Sequence, residues 1–453
     1  MLMLEYLNAG RLLFRREKEL NRALMIAIMF VLCMLTLLTL LLNVGAGQST
    51  KDSWPMFRHD PAHIGSSTST APSTNQTLWI QKTSGQVWSS PVVANGVVYV
   101  CSFDHNIYAF NATTGANIWT YPTGGEVFSS PAVSDGVTYV GSFDHNIYAL
   151  NASTGVQLWN FTTGRAVFSS PTVFDGTLFV GSDDHNVYAL NAQTGKRLWS
   201  YETGAEVQSS AAVSDGLVYI GSNDTNIYAL NAATGKKVWN YTTGSYVASS
   251  PAVANGMIYV GSYDNNTYAL NATTGALIWN CTTGYDICIQ SSLAVQGNIL
   301  YTGSSHLFSF TTKGVSALTG ITSIGENVYA LNSTTGAIIW NYTTGGGVWS
   351  SPAVSEGTVY VGSGDSKLYA LNASSGIFQW SYETGGAIYS SPAVANGVVY
   401  VGSTDNNVYA IGPNTSTATS GTPLNTYYII IAAVAVVFAV AAVISLLLRK
   451  RPK

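Results

Sequence analysis

The sequence predicts an all-β fold, an eight-bladed β-propeller of four-stranded blades, and three observations lead there. First, one segment is copied eight times. Ser-Ser pairs begin at 89, 129, 169, 209, 249, 291, 350 and 390, and Trp79, Trp119, Trp159, Trp199, Trp239, Trp279, Trp340 and Trp380 follow at intervals of 40, with one of 61. Second, each copy holds strand-like runs divided by turn residues. In the copy from Ser129 to Trp159 these lie around Ala132-Val133, from Val137 to Gly141 and from Asn146 to Leu150, with a fourth ending at Trp159. Asp135-Gly136 and Asp144-His145-Asn146 separate them, and Asp-Gly between alternating apolar runs signals a hairpin because the turn needs positive φ. Third, no 3.6-residue apolar period runs through the copies, which excludes a helical repeat. A fixed period near 40 with four strands in each is the pattern of blades that bury their faces on their neighbours.

In chain order, residues 1–47 come first, with Arg11, Arg15, Arg16, Lys18 and Arg22 ahead of an apolar run from Ala23 to Val44. That pattern reads as a signal peptide or as an apolar N-terminal anchor helix, with Val44-Gly45-Ala46 suited to cleavage and the basic end inside in either case. Residues 48–77 are a polar lead-in around the apolar knot Trp54 to His63, expected to pack as a cap against the ring. His59 and His63 have no third ligand nearby in sequence, so a metal is not expected there.

The ring spans 78–412. Its last copy, Ser390 to Ile411, holds three strands, while Leu78 to Thr83 supplies one Trp-bearing strand ahead of the first Ser-Ser pair. The N-terminal strand is therefore expected to complete the last blade and close the ring. Pro91, Pro131, Pro171, Pro251, Pro352 and Pro392 open first strands, which suits an edge facing the central channel. The sixth copy breaks the period near Tyr285 to Gln290 and again near 305–326, where a protruding insertion is expected. Cys281 and Cys288 flank the widened turn, and an exterior location would permit a disulfide between them. Cys101 stands at a strand glycine position and reads as a buried thiol. Residues 413–426 form a Ser/Thr-rich stalk, 427–448 are free of charge and read as a transmembrane helix, and the basic tail 449–453 is expected in the cytoplasm. The propeller would then sit outside the cell membrane.

The module Ala149-x-Asn151-x-x-Thr154-Gly155-x-x-x-Trp159 resembles the tryptophan-docking motif of pyrroloquinoline-quinone (PQQ) repeat propellers, with Asn where that family usually has Asp. Trp54-Pro55-Met56-Phe57-Arg58-His59-Asp60 is similar to the lead-in of membrane-anchored members. The resemblance covers roughly residues 52 to 412 and implies the propeller fold. About activity it implies little, because the family holds quinoprotein dehydrogenases, the outer-membrane assembly scaffold BamB and surface proteins alike.

Only 9% of residues are charged, 12% are aromatic and 44 are glycine, a tightly turned all-β composition. Between residues 23 and 448 ten basic side chains face twenty acidic ones, which argues against a nucleic-acid partner. The resemblance would ask a quinone enzyme for a carboxylate base, a calcium site of acidic and amide side chains, and usually adjacent cysteines. No cysteines are adjacent, and Asp104, Asp144, Asp184, Asp224, Asp264, Asp365 and Asp405 recur in turns, where Asp supports the backbone. No nucleophile-base pair, phosphate loop or zinc spacing stands out. Catalysis, PQQ and calcium are accordingly not expected.

Departures from the repeat are more informative. Just before the Ser-Ser pairs stand Trp88, Phe128, Phe168, Gln208, Ala248, Gln290, Trp349 and Tyr389. In a closed ring, copies 7, 8, 1, 2 and 3 are contiguous, so five aromatic residues share one arc, a candidate ligand face. His105, His145 and His185 lie in second-to-third-strand turns expected on the same face. Thirteen Asn-x-Ser/Thr sequons are present, many in the Asn-x-Thr-Thr-Gly turn, while Asn160, Asn240, Asn280 and Asn341 form a separate Trp-Asn-x-Thr series. Three functions fit these features: a non-catalytic binding or scaffold protein with a protein or glycan partner, a PQQ-dependent oxidoreductase, and a structural part of the cell envelope.

Overall fold

The computed structural model describes residues 53–283, 287–288, 291–306 and 326–413, with the side chains of 287, 288, 305 and 306 not described. The N-terminal residues through 52, most of the insertion, the stalk, the apolar run 427–448 and the basic tail lie outside this set.

Within it the chain forms eight four-stranded antiparallel sheets and no helix. Blade 1 comprises Val92–Ala94, Val97–Cys101, Asn106–Asn111 and Asn117–Pro122, ordered from the channel outward, and its successors repeat this order. The Asx-Gly turns between first and second strands work as expected, with Asp135 at φ 49° and Gly136 at 76°. The fourth strand does not end at the tryptophan. In blade 2 it runs Gln157–Thr162, and Asn160, Phe161 and Thr162 pair with Tyr148, Ile147 and Asn146. Its exposed outer side carries polar residues, which hides the strand from a reading based on apolar runs.

Closure is as expected. Thr77–Lys82 pairs with Asn407–Ile411 as the fourth strand of blade 8, whose other three strands come from the far end of the ring. Blades join through apolar clusters. Between blades 1 and 2, for example, Tyr99, Ile107, Trp119, Val133, Val140 and Leu150 are buried together, and removing this surface from water drives the packing. Tryptophans latch the joints: seven of the eight indoles donate to a carbonyl of the next blade, as Trp119 Nε1 does to Ala152 O at 2.9 Å. Trp380 faces blade 8, which has no third-to-fourth-strand turn, and packs on Tyr360.

The Ser-Ser pairs do two jobs. The first serine ties the first strand to the second, as Ser129 Oγ does in accepting the Gly141 amide. The second ties blade to blade: the amides of Ser90, Ser130, Ser170, Ser210, Ser250, Ser292, Ser351 and Ser391 each donate to the hydroxyl of the next, at 2.9 or 3.0 Å, until Ser391 returns to Ser90. This girdle closes around the channel.

The lead-in is not a cap lying against the ring. It makes one circuit inside the channel, where the inner-edge amides of the first strands need acceptors. Val93, Val133, Val213, Val253, Val295 and Val354 donate in turn to the carbonyls of Trp54, Pro55, Pro61, Ala62, Ile64 and Gly65. His63 meets Thr172 of blade 3 at 3.0 Å, and Ser66–Ser67 adds a short parallel strand beside Val354–Ser355 of blade 7.

Blade 6 closes without the insertion, and only its start is described: Ile287–Cys288 pairs with Ser305–His306 beside the blade. Cys288, with which a disulfide of Cys281 is expected, is among the residues whose side chains are not described, and Cys281 is a free thiol. On its strand it takes the place that Tyr121, Phe161, Tyr201, Tyr241 and Tyr342 hold in other blades, and like them it is turned toward the third-strand tyrosine of the next blade, here Tyr329. Cys101 is buried, as expected, and burial pushes its thiol well above the usual range.

Candidate functional site

The face opposite the first-to-second-strand turns is built from two kinds of loop. The crossover between blades lies on the second-to-third-strand turn, since the Phe103 amide donates to Gln86 O and the Val87 amide to Ser403 O. In six crossovers a buried residue such as Val87 fits against a strand glycine, and Val127 packs with Cys101 in the same way, while the serine two residues on is bonded to the second strand. The residue between these two anchors, position 88 and its equivalents, has nowhere to go but out over the channel mouth.

There the five expected aromatics meet. Trp349 stacks on Tyr389 at 4.7 Å between ring centroids, Tyr389 meets Trp88 edge-on at 4.7 Å, Trp88 meets Phe128 at 5.7 Å, and Phe128 stacks on Phe168 at 5.0 Å. Phe103 and Phe143, from the turns of blades 1 and 2, extend the group, 4.1 and 4.5 Å from Phe128. Neither stands out in the sequence, where their position, two residues before the turn histidines, is filled by Asp183, Asn223 and Tyr263 in the following copies. All seven rings are half-buried, packed on one side and open on the other. Gln86 accepts from the Trp88 indole at 2.8 Å and so fixes its plane.

Across the mouth the chemistry changes. Gln208 and Ala248 are half-buried, and Gln290 lies outside the described residues. Asp183 replaces the phenylalanine of blades 1 and 2, with its amide on Ala166 O. Burial pushes its carboxyl above the usual carboxylate range, partly offset by a hydrogen bond from Gln208, and its Oδ1 is buried without a partner. Glu206 and Arg165 stand 3.8 Å apart nearby, a solvent-exposed pair of little energetic weight.

The histidines stay apart from this cluster. His105 and His145 are exposed and His185 half-buried, each at a positive-φ turn position, 68° to 73°, that other blades fill with Thr225, Asn265, Ser366 or Asn406. Their carbonyls receive the amides of Thr123, Thr163 and Thr203, and no described ring contact joins their imidazoles to the aromatics. The seven repeated aspartates are committed as well. Asp144, for instance, accepts from the Gly124 amide, the Asn146 amide and the Tyr148 hydroxyl, which staples the crossover to the turn. Among the described residues no three acids, histidines or cysteines come close enough to hold a metal ion.

Inside the channel, Arg58 and His63 are fully buried. Arg58 donates to Pro352 O and, at 2.6 Å, to Leu293 O, and burial lowers its guanidinium to about 9, which leaves it charged at neutral pH. Burial lowers His63 to about 4, so it is neutral there. The lead-in thus fills the channel below the aromatic mouth.

Comparison with known proteins agrees with this fold. The sequence matches the family described as outer membrane protein assembly factor BamB over residues 66–129, 104–212, 204–322 and 324–419. Among solved structures the chain is similar to BamB from Moraxella catarrhalis, with a TM-score of 0.62 and 18% identity over 75% of this chain and 100% of that one. It is similar also to a europium-containing methanol dehydrogenase, with a TM-score of 0.68 and 15% identity over 80% of this chain and 98% of that one. A third is the quinohemoprotein alcohol dehydrogenase from Comamonas testosteroni, at 0.68 and 17% over 83% and 84%. At such identities the likeness is one of fold alone. No curated protein matches the chain.

Proposed function

The chain belongs to the family described as outer membrane protein assembly factor BamB, and from that premise we propose that it is a non-catalytic scaffold whose aromatic mouth binds a partner protein. In this reading residues 427–448 hold the propeller outside the cell membrane. The observation that carries it is the continuous group of half-buried rings at one end of a channel that the lead-in fills. Rings presented in this way offer flat apolar area at little entropic cost, and Trp and Tyr are favoured anchors of binding surfaces. Trp88 and Trp349 are the expected anchors, each contributing about 2 kcal/mol, or roughly thirtyfold in affinity. The uncommitted oxygen of Asp183 at the border of the arc favours a partner that brings a hydrogen-bond donor beside its apolar group.

The full chain, immobilised in detergent, is expected to retain one defined partner from the envelope fraction of its own cells. Trp88→Ala with Trp349→Ala should abolish retention, whereas Gln208→Ala and Ala248→Ser should preserve it. Thermal unfolding separates the outcomes, because a double variant that loses binding only by losing its fold would make the rings packing and overturn the proposal. Retention of envelope polysaccharide in place of protein would reassign the partner to a glycan. The likeness to quinone-dependent dehydrogenases favours oxidoreductase activity as the second reading. Stoichiometric uptake of PQQ in the presence of calcium, read from the absorbance spectrum, would move that reading to first place.

A further inference from the structure

A sheet that ends in solvent leaves a row of unpaired amides and carbonyls on its last strand, and natural proteins guard such edges with charges or proline. This propeller has eight of them. Three residues after the docking tryptophan, the outer strands of blades 8, 1, 3 and 7 carry Lys82, Pro122, Glu202 and Glu383, all exposed. At the same position blades 2, 4, 5 and 6 carry Thr162, Thr242, Thr282 and Thr343, also exposed. Only in these four is the residue directly after the tryptophan asparagine: Asn160, Asn240, Asn280 and Asn341 stand where the others have Ile80, Thr120, Ser200 and Ser381. Every edge therefore has a charge or proline at this position, or an Asn-x-Thr sequon that begins directly after the tryptophan, and none has both.

The sequon edges are the ones in need of cover. The strands Gln157–Thr162, Leu277–Thr282 and Ile338–Thr343 hold no charged residue, and Lys237 is the one charge on the fourth. Leu158, 51% exposed, lies on the same outward face as Asn160 and Thr162, because alternate residues of a strand share a face. The middle residue of each sequon is turned toward the next blade, and the asparagine and threonine stand exposed on the outer face. There Thr162, Thr242, Thr282 and Thr343 donate to the third-strand Asn146, Asn226, Asn266 and Asn327, and the Nδ2 atoms of Asn160 and Asn240 donate to the first two of these. The turn sequons are a different matter. Asn151 Oδ1 accepts from the amides of Ser153 and Thr154, and Asn191 and Asn231, which belong to no sequon, accept from Thr194 and Thr234 in the same way. Turn chemistry accounts for that series and not for the edge series.

We propose that Asn160, Asn240, Asn280 and Asn341 carry N-linked glycans that shield the outer edges of blades 2, 4, 5 and 6 from strand pairing. The inference rests on the exterior location proposed above, where a lipid-linked oligosaccharide donor is met. In the transfer the asparagine Nδ2 loses a proton and bonds the anomeric carbon of the oligosaccharide. The bond from that carbon to the phosphate oxygen breaks, and the lipid phosphate leaves with the electron pair, with no change of oxidation state. Blades 7, 8 and 1, the centre of the aromatic arc, carry no sequon of this series.

The full chain, expressed in a host that N-glycosylates secreted proteins and purified in detergent, provides the test. Glycopeptide mass spectrometry is expected to find all four sites modified, and each Asn→Gln change should remove one glycan's mass. The fourfold Asn→Gln variant should self-associate on sedimentation. A variant with Thr162→Glu, Thr242→Glu, Thr282→Glu and Thr343→Glu should stay monomeric without glycan, because it destroys the sequons and supplies the charge found on the other edges. Unmodified asparagines in a propeller that protease reaches on intact cells would overturn the proposal, as would a fourfold Asn→Gln variant that remains monomeric. A propeller shielded from protease until lysis would instead remove the exterior location, and the inference with it.

Discussion

At the scale of single residues, the docking glycine shows how tightly the repeat is specified. Gly155 has φ 72°, and a Cβ built on it would lie 2.8 Å from Trp119 Cδ2. Gly136 has φ 76° with nothing within 4 Å of its would-be Cβ. Both ask for the left-handed region, which costs other residues about 1–2 kcal/mol, but only Gly155 also has a ring in the way, and overpacking adds about 1–3 kcal/mol. Gly136→Ala should therefore shift the urea unfolding midpoint modestly and Gly155→Ala at least twice as far. Equal shifts would mean that backbone strain alone decides. The aspartate staples belong to the same scale: their repetition marks structure, and the single odd acid, Asp183, is the one left with an unpaired oxygen.

Among the elements, the lead-in has the most exacting surroundings. Its His63 faces the Thr172 hydroxyl, the Pro251 carbonyl, the Phe57 ring and the charges of Arg58 and Asp60, and burial outweighs them all in lowering it to about 4 from 6.5. The unfolded imidazole takes up a proton near pH 6.5 and the folded one only near 4. Stability is thus whole above pH 6.5 and falls as the pH drops toward 4, by an amount on the order of 3 kcal/mol. Melting temperatures measured between pH 7.5 and 4.5 should follow this fall, and His63→Gln should flatten that part of it. A variant with the undiminished pH dependence would place the sensitivity in other groups.

For the molecule as a whole, the weak point of a closed ring is the place where the chain ends meet. Blade 8 has no third-to-fourth-strand turn, so its last strand is held by the ladder between Thr77–Lys82 and Asn407–Ile411 and by the Trp79 indole on Ala112 O. Pro122, at the place equivalent to Lys82, shows that this amide is dispensable, and the alternation of a strand then directs the Gln81 amide to Val408. Gln81→Pro should remove that bond and cost about 1–3 kcal/mol. In limited proteolysis, cleavage should begin within residues 390–411. Simultaneous digestion of all blades would show that the ring yields as one unit.

The sequence by itself determined the blade count, the order of strands and the closure by the N-terminal strand, because these follow from local signals: alternation of two, turns that need positive φ, and a register that can be counted. The neighbourhood of Trp349, Tyr389, Trp88, Phe128 and Phe168 followed too, since closure makes distant copies adjacent. Only the tertiary structure decided the rest. Arg58 finds its acceptors at Leu293 and Pro352, and His63 its partner at Thr172, separations that leave no periodic trace in the chain. The serine pairs could be counted as register marks, but their girdle exists only where eight inner strands converge on one channel. Phe103 and Phe143 joined the mouth because the crossover lies on their turn, and Cys281 faced Tyr329 because the next blade stands against it. Local chemistry writes the strands and turns, whereas partners across the ring are set by its diameter and by the unpaired amides its inner edge must satisfy.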